Sequence, residues 1–212
     1  MASLRTSQAI CPAGSYCSNG IALACPGGKF GSTTGLGTST CSGECAAGYY
    51  CPSNSASPHE FECGSAAVHC PAGSAAPLVV PPGMYSIGGF NTTTRTSAVE
   101  CPAGTFCLNG VMSPCPAGRF GCSILVSEPQ CSGPCLDGFW CTNGSDSDTQ
   151  HACGEGQAYP SSVYCPSGSS SPLAVPAGHY GLGGSPPDRL ASEAVCPLGH
   201  YCDHGLKVPV GA

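Results

Sequence analysis

No window of this chain keeps apolar residues at the roughly 3.6-residue spacing of a helix face, because glycine or proline intervenes every few positions. Little or no helix is expected. The patterning that exists has a period of two. In "SAAPLVVPPGMYSIGG" at 74–89, Leu78, Val80 and Tyr85 are apolar positions interrupted by proline. "SSSPLAVPAGHYGLGG" at 169–184 repeats the pattern with Leu173, Val175 and Tyr180. Apolar alternation broken by proline predicts short edge strands. The predicted elements are short β-hairpins and irregular loops.

The chain also repeats on a larger scale. "CPAGSYCSNG" at 11–20 returns as "CPAGTFCLNG" at 101–110 and as "CPLGHYCDHG" at 196–205. A period of 90 residues aligns Cys11 with Cys101, Cys17 with Cys107, Cys25 with Cys115, Cys41 with Cys131, Cys45 with Cys135, Cys51 with Cys141 and Cys63 with Cys153. Cysteines kept in register over so long a period indicate duplication. The next pair, Cys70 and Cys165, is 95 apart because "GSAAVH" becomes "GEGQAYPSSVY", which marks that segment as a surface loop. The chain divides into residues 1–100, residues 101–195 and a truncated third copy, 196–212. "RTSQAIC" at Arg5 resembles "RTSAVEC" at Arg95 and "RLASEAVC" at Arg189. The repeat is thus under way at Arg5, and the expectation is an excerpt of a longer array.

Nineteen cysteines among 212 residues change the physical picture. With 31 Gly, 21 Pro, 8% charged and 7% aromatic residues, burial is a poor source of stability, and covalent cross-links must supply it. The framework comprises the seven pairs above, Cys70 and Cys165, and Cys196 and Cys202. Eight cysteines per copy allow about a hundred pairings, and spacing does not choose among them. A covalent unit could run from Cys11 to Cys70, or begin at Cys25 and close with Cys101 and Cys107. Val210 stands where Cys25 and Cys115 stand in the full copies. Cys196 and Cys202 therefore pair with each other, pair backward or stay open. Cys122 replaces Ser32 and is odd; a buried or reduced thiol is weighed above an interchain bond. Structural zinc is disfavoured because no C-x-x-C occurs; the tightest spacing is C-x-x-x-C at Cys41/Cys45 and Cys131/Cys135.

The recurrent turn has a backbone logic. Proline fixes its own φ and biases the preceding cysteine toward extended geometry, while glycine supplies the positive φ that closes the turn. The aromatics that follow, Tyr16, Phe106 and Tyr201, are expected to cover a disulfide or an adjacent turn.

The net charge is −6 and the six basic residues are scattered, which argues against a nucleic-acid partner. No apolar run approaches the roughly 20 residues of a membrane span, and "MASLRTSQAI" lacks a signal-peptide core. Cysteine usage points to an oxidising, extracellular location, secreted or cell-surface.

"CPAGSYCSNG", "CPGGKFGSTTG", "CSGECAAGYYCP" and "CPAGTFCLNGVMSPCPAGRFG" resemble the ephrin-receptor-like cysteine-rich repeats, themselves distantly similar to growth-factor-receptor and tumour-necrosis-factor-receptor modules. The resemblance covers essentially the whole chain. It implies a small disulfide-rich fold of tandem repeats forming an extracellular, elongated rod. The "VPPGMYSIGG" block departs from a plain receptor module, and no ligand-contact residue is carried over.

Reactive chemistry finds little support. His200, Cys202, Asp203 and His204 cluster in "GHYCDHG", but only the cysteine recurs in the earlier copies, where Ser15, Ser18 and Asn19, then Thr105, Leu108 and Asn109, stand. His69 aligns with Tyr164 and His179 with Met84, so neither preserves a metal ligand; His59 and His151 fare no better. "NGSDSDTQ" lacks the closing glutamate of a calcium loop. No catalytic residue, metal or cofactor is expected, and the chain does not read as an enzyme. Asn91 in "NTT" and Asn143 in "NGS" are glycosylation sequons, Asn91 favoured. Thr92, Thr93, Thr94 and the Pro81-Pro82 and Pro186-Pro187 pairs are candidates for other sugars.

The expected function is structural: a glycosylated spacer or a filament or fibril subunit whose partners are neighbouring repeats or further copies of itself. The alternative is the ligand-binding or stalk module of a receptor ectodomain. An exposed patch of Tyr49, Tyr50, Phe139 and Trp140 would favour it, whereas their recurrence at matched positions favours packing.

Overall fold

The computed structural model describes residues 7–184 and 189–211. Arg5 and the Pro186-Pro187 pair lie outside the described residues. Twenty-two short strands pair with their neighbours in chain order, giving eleven two-stranded sheets among the described residues. The helical element among them is one 3-10 turn, Pro160–Ser162. The fold is a series of small disulfide-rich hairpins.

The first hairpin pairs Ser15–Ser18 with Ile21–Ala24, the second Lys29–Phe30 with Gly43–Glu44, and the third Tyr49–Tyr50 with Phe61–Glu62. The fourth pairs Val68–His69 with Leu78–Val79, and the fifth Met84–Ile87 with Ser97–Glu100. The second copy repeats the order. Its hairpins are Thr105–Leu108 with Val111–Pro114, Arg119–Phe120 with Gly133–Pro134, Phe139–Trp140 with His151–Ala152, Val163–Tyr164 with Leu173–Ala174, and His179–Leu182 with Ser192–Val195. The eleventh, His200–Asp203 with Leu206–Pro209, opens the third copy. The 90-residue period is thus itself five hairpins. The chain divides into two compact units, Met1–Val99 with Asn109–Val111, and Glu100–Leu108 with Met112–Ala212.

One turn generates the series. Ser15 N donates to Pro12 O (3.2 Å), Lys29 N to Pro26 O (3.1 Å) and Tyr49 N to Ala46 O (3.1 Å). The third residue of each turn is a glycine at positive φ, +79° at Gly14, +84° at Gly28 and +86° at Gly48, as a type II turn requires. That glycine's carbonyl then accepts the N–H that closes the hairpin: Cys25 N on Gly14 O, Cys45 N on Gly28 O, Cys63 N on Gly48 O. The turn glycine's own N–H points to the following hairpin, Gly28 N to Cys51 O (2.7 Å) and Gly48 N to Cys70 O (2.7 Å). One residue therefore closes its own hairpin and docks the next.

Disulfides always join consecutive framework cysteines. Cys11–Cys17, Cys45–Cys51, Cys101–Cys107, Cys135–Cys141 and Cys196–Cys202 each span six residues and clamp a turn to the strand that leaves it. Cys25–Cys41 and Cys115–Cys131 span 16. Cys63–Cys70 spans 7 and its counterpart Cys153–Cys165 spans 12, so the five inserted residues sit inside one disulfide loop. No bond joins one copy to another, which removes the alternative unit closing on Cys101 and Cys107. Cys196 and Cys202 pair with each other.

The buried apolar residues are almost all half-cystines, joined by Val80 and Leu190. These two show how the "VPPGMYSIGG" block is built. It is the same hairpin without its disulfide: Val80 and Ser86 stand where Cys11 and Cys17 stand, and both are buried. In the tenth hairpin the pair is Val175 and Gly181, and Leu190 fills the gap, since a Cβ on Gly181 would lie 2.2 Å from Leu190 Cδ1. Leu190 also corrects the arginine-led alignment by one position. Cys70 N donates to Arg95 O and Cys165 N to Leu190 O, both at 2.8 Å, so Leu190 rather than Arg189 is the counterpart of Arg95.

Candidate functional site

Four residues past the start of each turn, every hairpin carries an aromatic ring. In the first unit these are Tyr16, Phe30, Tyr50, His69 and Tyr85; in the second, Phe106, Phe120, Trp140, Tyr164, Tyr180 and Tyr201. The position is placed by the turn, which has glycine at positive φ in most hairpins and Ala67 or Ser162 in the fourth and ninth. His69 belongs to this row, which explains why it aligns with Tyr164. All are half-buried except Tyr201, which is exposed.

Several of these rings have packing partners. Tyr50 stacks on Phe61, its cross-strand partner, with centroids 5.4 Å apart. Trp140 stacks in the same way on His151 at 4.5 Å. Phe30 and Phe120 lie over Gly43 and Gly133, where a Cβ would be 3.7 Å from the ring. The preceding position is used too: Tyr49 meets His59 edge-on at 4.6 Å, and the Arg189 guanidinium lies 5.5 Å from the Phe139 ring centre. The proposed patch of Tyr49, Tyr50, Phe139 and Trp140 is therefore half-buried, each ring with a named partner. Trp140 Nε1 is buried without a hydrogen bond.

The His200, Cys202, Asp203, His204 cluster does not assemble. Cys202 is bonded to Cys196, so it offers no nucleophile. The His204 ring stacks on Tyr159 at 3.9 Å, with its Nε2 3.7 Å from Asp203 Oδ1. His179 faces Glu193 at 3.5 Å and His151 faces Glu155 at 3.8 Å. Among the described residues no group of three or more His, Cys, Asp or Glu side chains is arranged to hold a metal ion. No helix among them is long and apolar enough to cross a membrane.

The two sequons differ. Asn91 is exposed; its Oδ1 accepts from Thr93 N (2.9 Å) and lies 2.7 Å from Thr93 Oγ1, so the sequon hydroxyl already reaches the acceptor amide. Thr93 Oγ1 is also within hydrogen-bond reach of Glu62. Asn143 is exposed, but its Oδ1 accepts from Ala117 N at 2.7 Å. Ser145 is buried and donates to Thr142 O (2.9 Å), as Ser55 does to Pro52 O (2.7 Å) in the first copy. The serine of this sequon thus recurs as a packing element.

Cys122 is free and exposed, not buried. It occupies the place of Ser32: Ser32 N donates to Ser42 Oγ at 3.0 Å, and Cys122 N to Ser132 Oγ at 3.0 Å. Its Sγ is 3.5 Å from Ser132 Oγ and 3.7 Å from Ser123 Oγ. Hydrogen bonding by Ser132, then Ser123, holds its pKa below the ordinary thiol value.

No protein-family model and no curated protein matches the chain.

Proposed function

We propose that this chain is an extracellular structural repeat module, a glycosylated spacer or a subunit of a filament or fibril. The observation that carries the reading is the use of each hairpin's special positions. In most hairpins a turn glycine, a cysteine and an aromatic recur at the same places, where they serve the disulfide frame, cross-strand packing and the bonds to the next hairpin. Such modules add stability through nearest-neighbour contacts, so copy number sets length. The many disulfides suit an oxidising environment outside the cell. Kinship with the ephrin-receptor-like repeats, and the absence of a catalytic role, are part of the same proposal.

Electron microscopy of the unreduced, glycosylated protein from its native source tests this. Filaments with a regular axial repeat, or uniform threads linking larger bodies, are the expected result. A saturable ligand released by Trp140→Ala would assign the chain to the receptor class instead.

A further inference from the structure

The opening hairpin of each copy turns on two residues at positive φ: Asn19 and Gly20 (+51° and +73°), Asn109 and Gly110 (+51° and +73°), His204 and Gly205 (+48° and +76°). Such a turn favours Asn-Gly, because the short amide of asparagine bonds locally and tolerates the left-handed region. His204 departs from that preference, so the turn itself does not account for it.

The loop of the preceding copy does. At both places where one copy meets the opening hairpin of the next, a loop carbonyl lies against the turn glycine: a Cβ on Gly110 would collide with Ala66 O, and one on Gly205 with Ser161 O. The carbonyl of that glycine accepts from the neighbouring hairpin, Ser86 N to Gly110 O (3.0 Å) and Gly181 N to Gly205 O (2.9 Å). These contacts are common to the two junctions. Val80 N on Ala67 O and Val175 N on Ser162 O align the loops, which leaves residues 155–159 without a counterpart in the first copy. Tyr159, the last of them, stacks on the His204 ring with centroids 3.9 Å apart and planes 8° from parallel. The Ser161 hydroxyl then donates to His204 O (2.7 Å), a bond that Ala66 has no group to make.

We propose that the insertion at 155–159 is a clasp, a conformational device that carries Tyr159 onto the turn of the following copy and makes that junction harder to open than the one at Gly110. Histidine at 204 gives up the preferred turn residue and gains a flat ring for Tyr159 to cover. Tyr159 is 55% exposed, so the clasp lies on the surface and not in the disulfide-lined interior. It does not depend on whether the array serves as spacer or receptor stalk.

Hydrogen exchange at the Gly181 amide, which makes the junction bond, tests this against Ser86 as the internal reference. Tyr159→Ala should speed exchange at Gly181 about fivefold and leave Ser86 unchanged. Tyr159→Phe keeps a ring and should keep the protection. His204→Asn restores the preferred turn pair, yet it should speed Gly181 as much as Tyr159→Ala does, and the double variant should add nothing further. Replacing residues 64–69 by residues 154–164, together with Asn109→His, should slow exchange at Ser86 about fivefold, and Asn109→His alone should not. The proposal is overturned if Tyr159→Ala leaves Gly181 unmoved, if Tyr159→Phe loosens it as much as Tyr159→Ala, if His204→Asn slows it, or if the transplanted segment fails to slow Ser86.

Discussion

The indole of Trp140 lies on the imidazole of His151, its direct cross-strand partner, with centroids 4.5 Å apart and planes 26° from parallel. The strands that carry them are two residues long, so this stack adds to the few backbone bonds that close the eighth hairpin, such as Cys153 N to Gly138 O. Trp140→Ala should destabilise the oxidised protein by about 2–3 kcal/mol and His151→Ala by about 1 kcal/mol. A double-mutant cycle in denaturant melts should return a coupling of about 1 kcal/mol. Additive effects would show that the stack contributes no specific energy.

The fifth hairpin lacks a disulfide only because Val80 and Ser86 stand at the cysteine places. Val80→Cys with Ser86→Cys should form a tenth bond spontaneously and raise stability by about 2 kcal/mol, the value expected for so short a loop. The same exchange at Val175 and Gly181 should fail, because Leu190 Cδ1 occupies the space a Cβ on Gly181 needs. Intact mass with and without reduction separates the two outcomes.

Consecutive pairing is directly measurable. Digestion without reduction, followed by mass spectrometry, should recover only links between successive framework cysteines. Replacing Cys25 and Cys41 together by serine should cost about 3 kcal/mol. A link between the two copies would contradict the fold described above.

Cys122 should be the one thiol alkylated in the native protein. Its lowered pKa, caused first by Ser132 and then by Ser123, places thiolate at lower pH than an ordinary cysteine would. Ser132→Ala should therefore shift the pH midpoint of iodoacetamide labelling upward. A midpoint that moves down or stays fixed would remove Ser132 as the cause.

Glycan should be carried at Asn91 rather than Asn143. When the protein is secreted from a glycosylating host, Asn91→Gln should abolish the mass lost on enzymatic deglycosylation, and Asn143→Gln should leave it unchanged. The physical difference is Thr93, whose hydroxyl lies 2.7 Å from the Asn91 amide oxygen, against Ser145, buried on Thr142 O.

Much of this was legible in the residues. Proline and glycine at fixed offsets dictate a type II corner, and backbone sterics act over four residues, so the turns and the lack of helix follow from local chemistry. The 90-residue register and the odd Cys122 are visible because cysteine is rare enough to align without ambiguity. The five hairpins inside each period were hidden, because their spacing varies and one in each period, opening at Val80 or Val175, lacks the cysteines that mark others. His69 obscured the aromatic row for a similar reason: its place is recognisable only once Tyr164 and the remaining rings are seen at one point of one turn. Tertiary structure alone decided the pairing of cysteines and the exposure of Cys122. Each depends on which backbone groups of one hairpin meet those of the next, a relation between segments that no local spacing encodes.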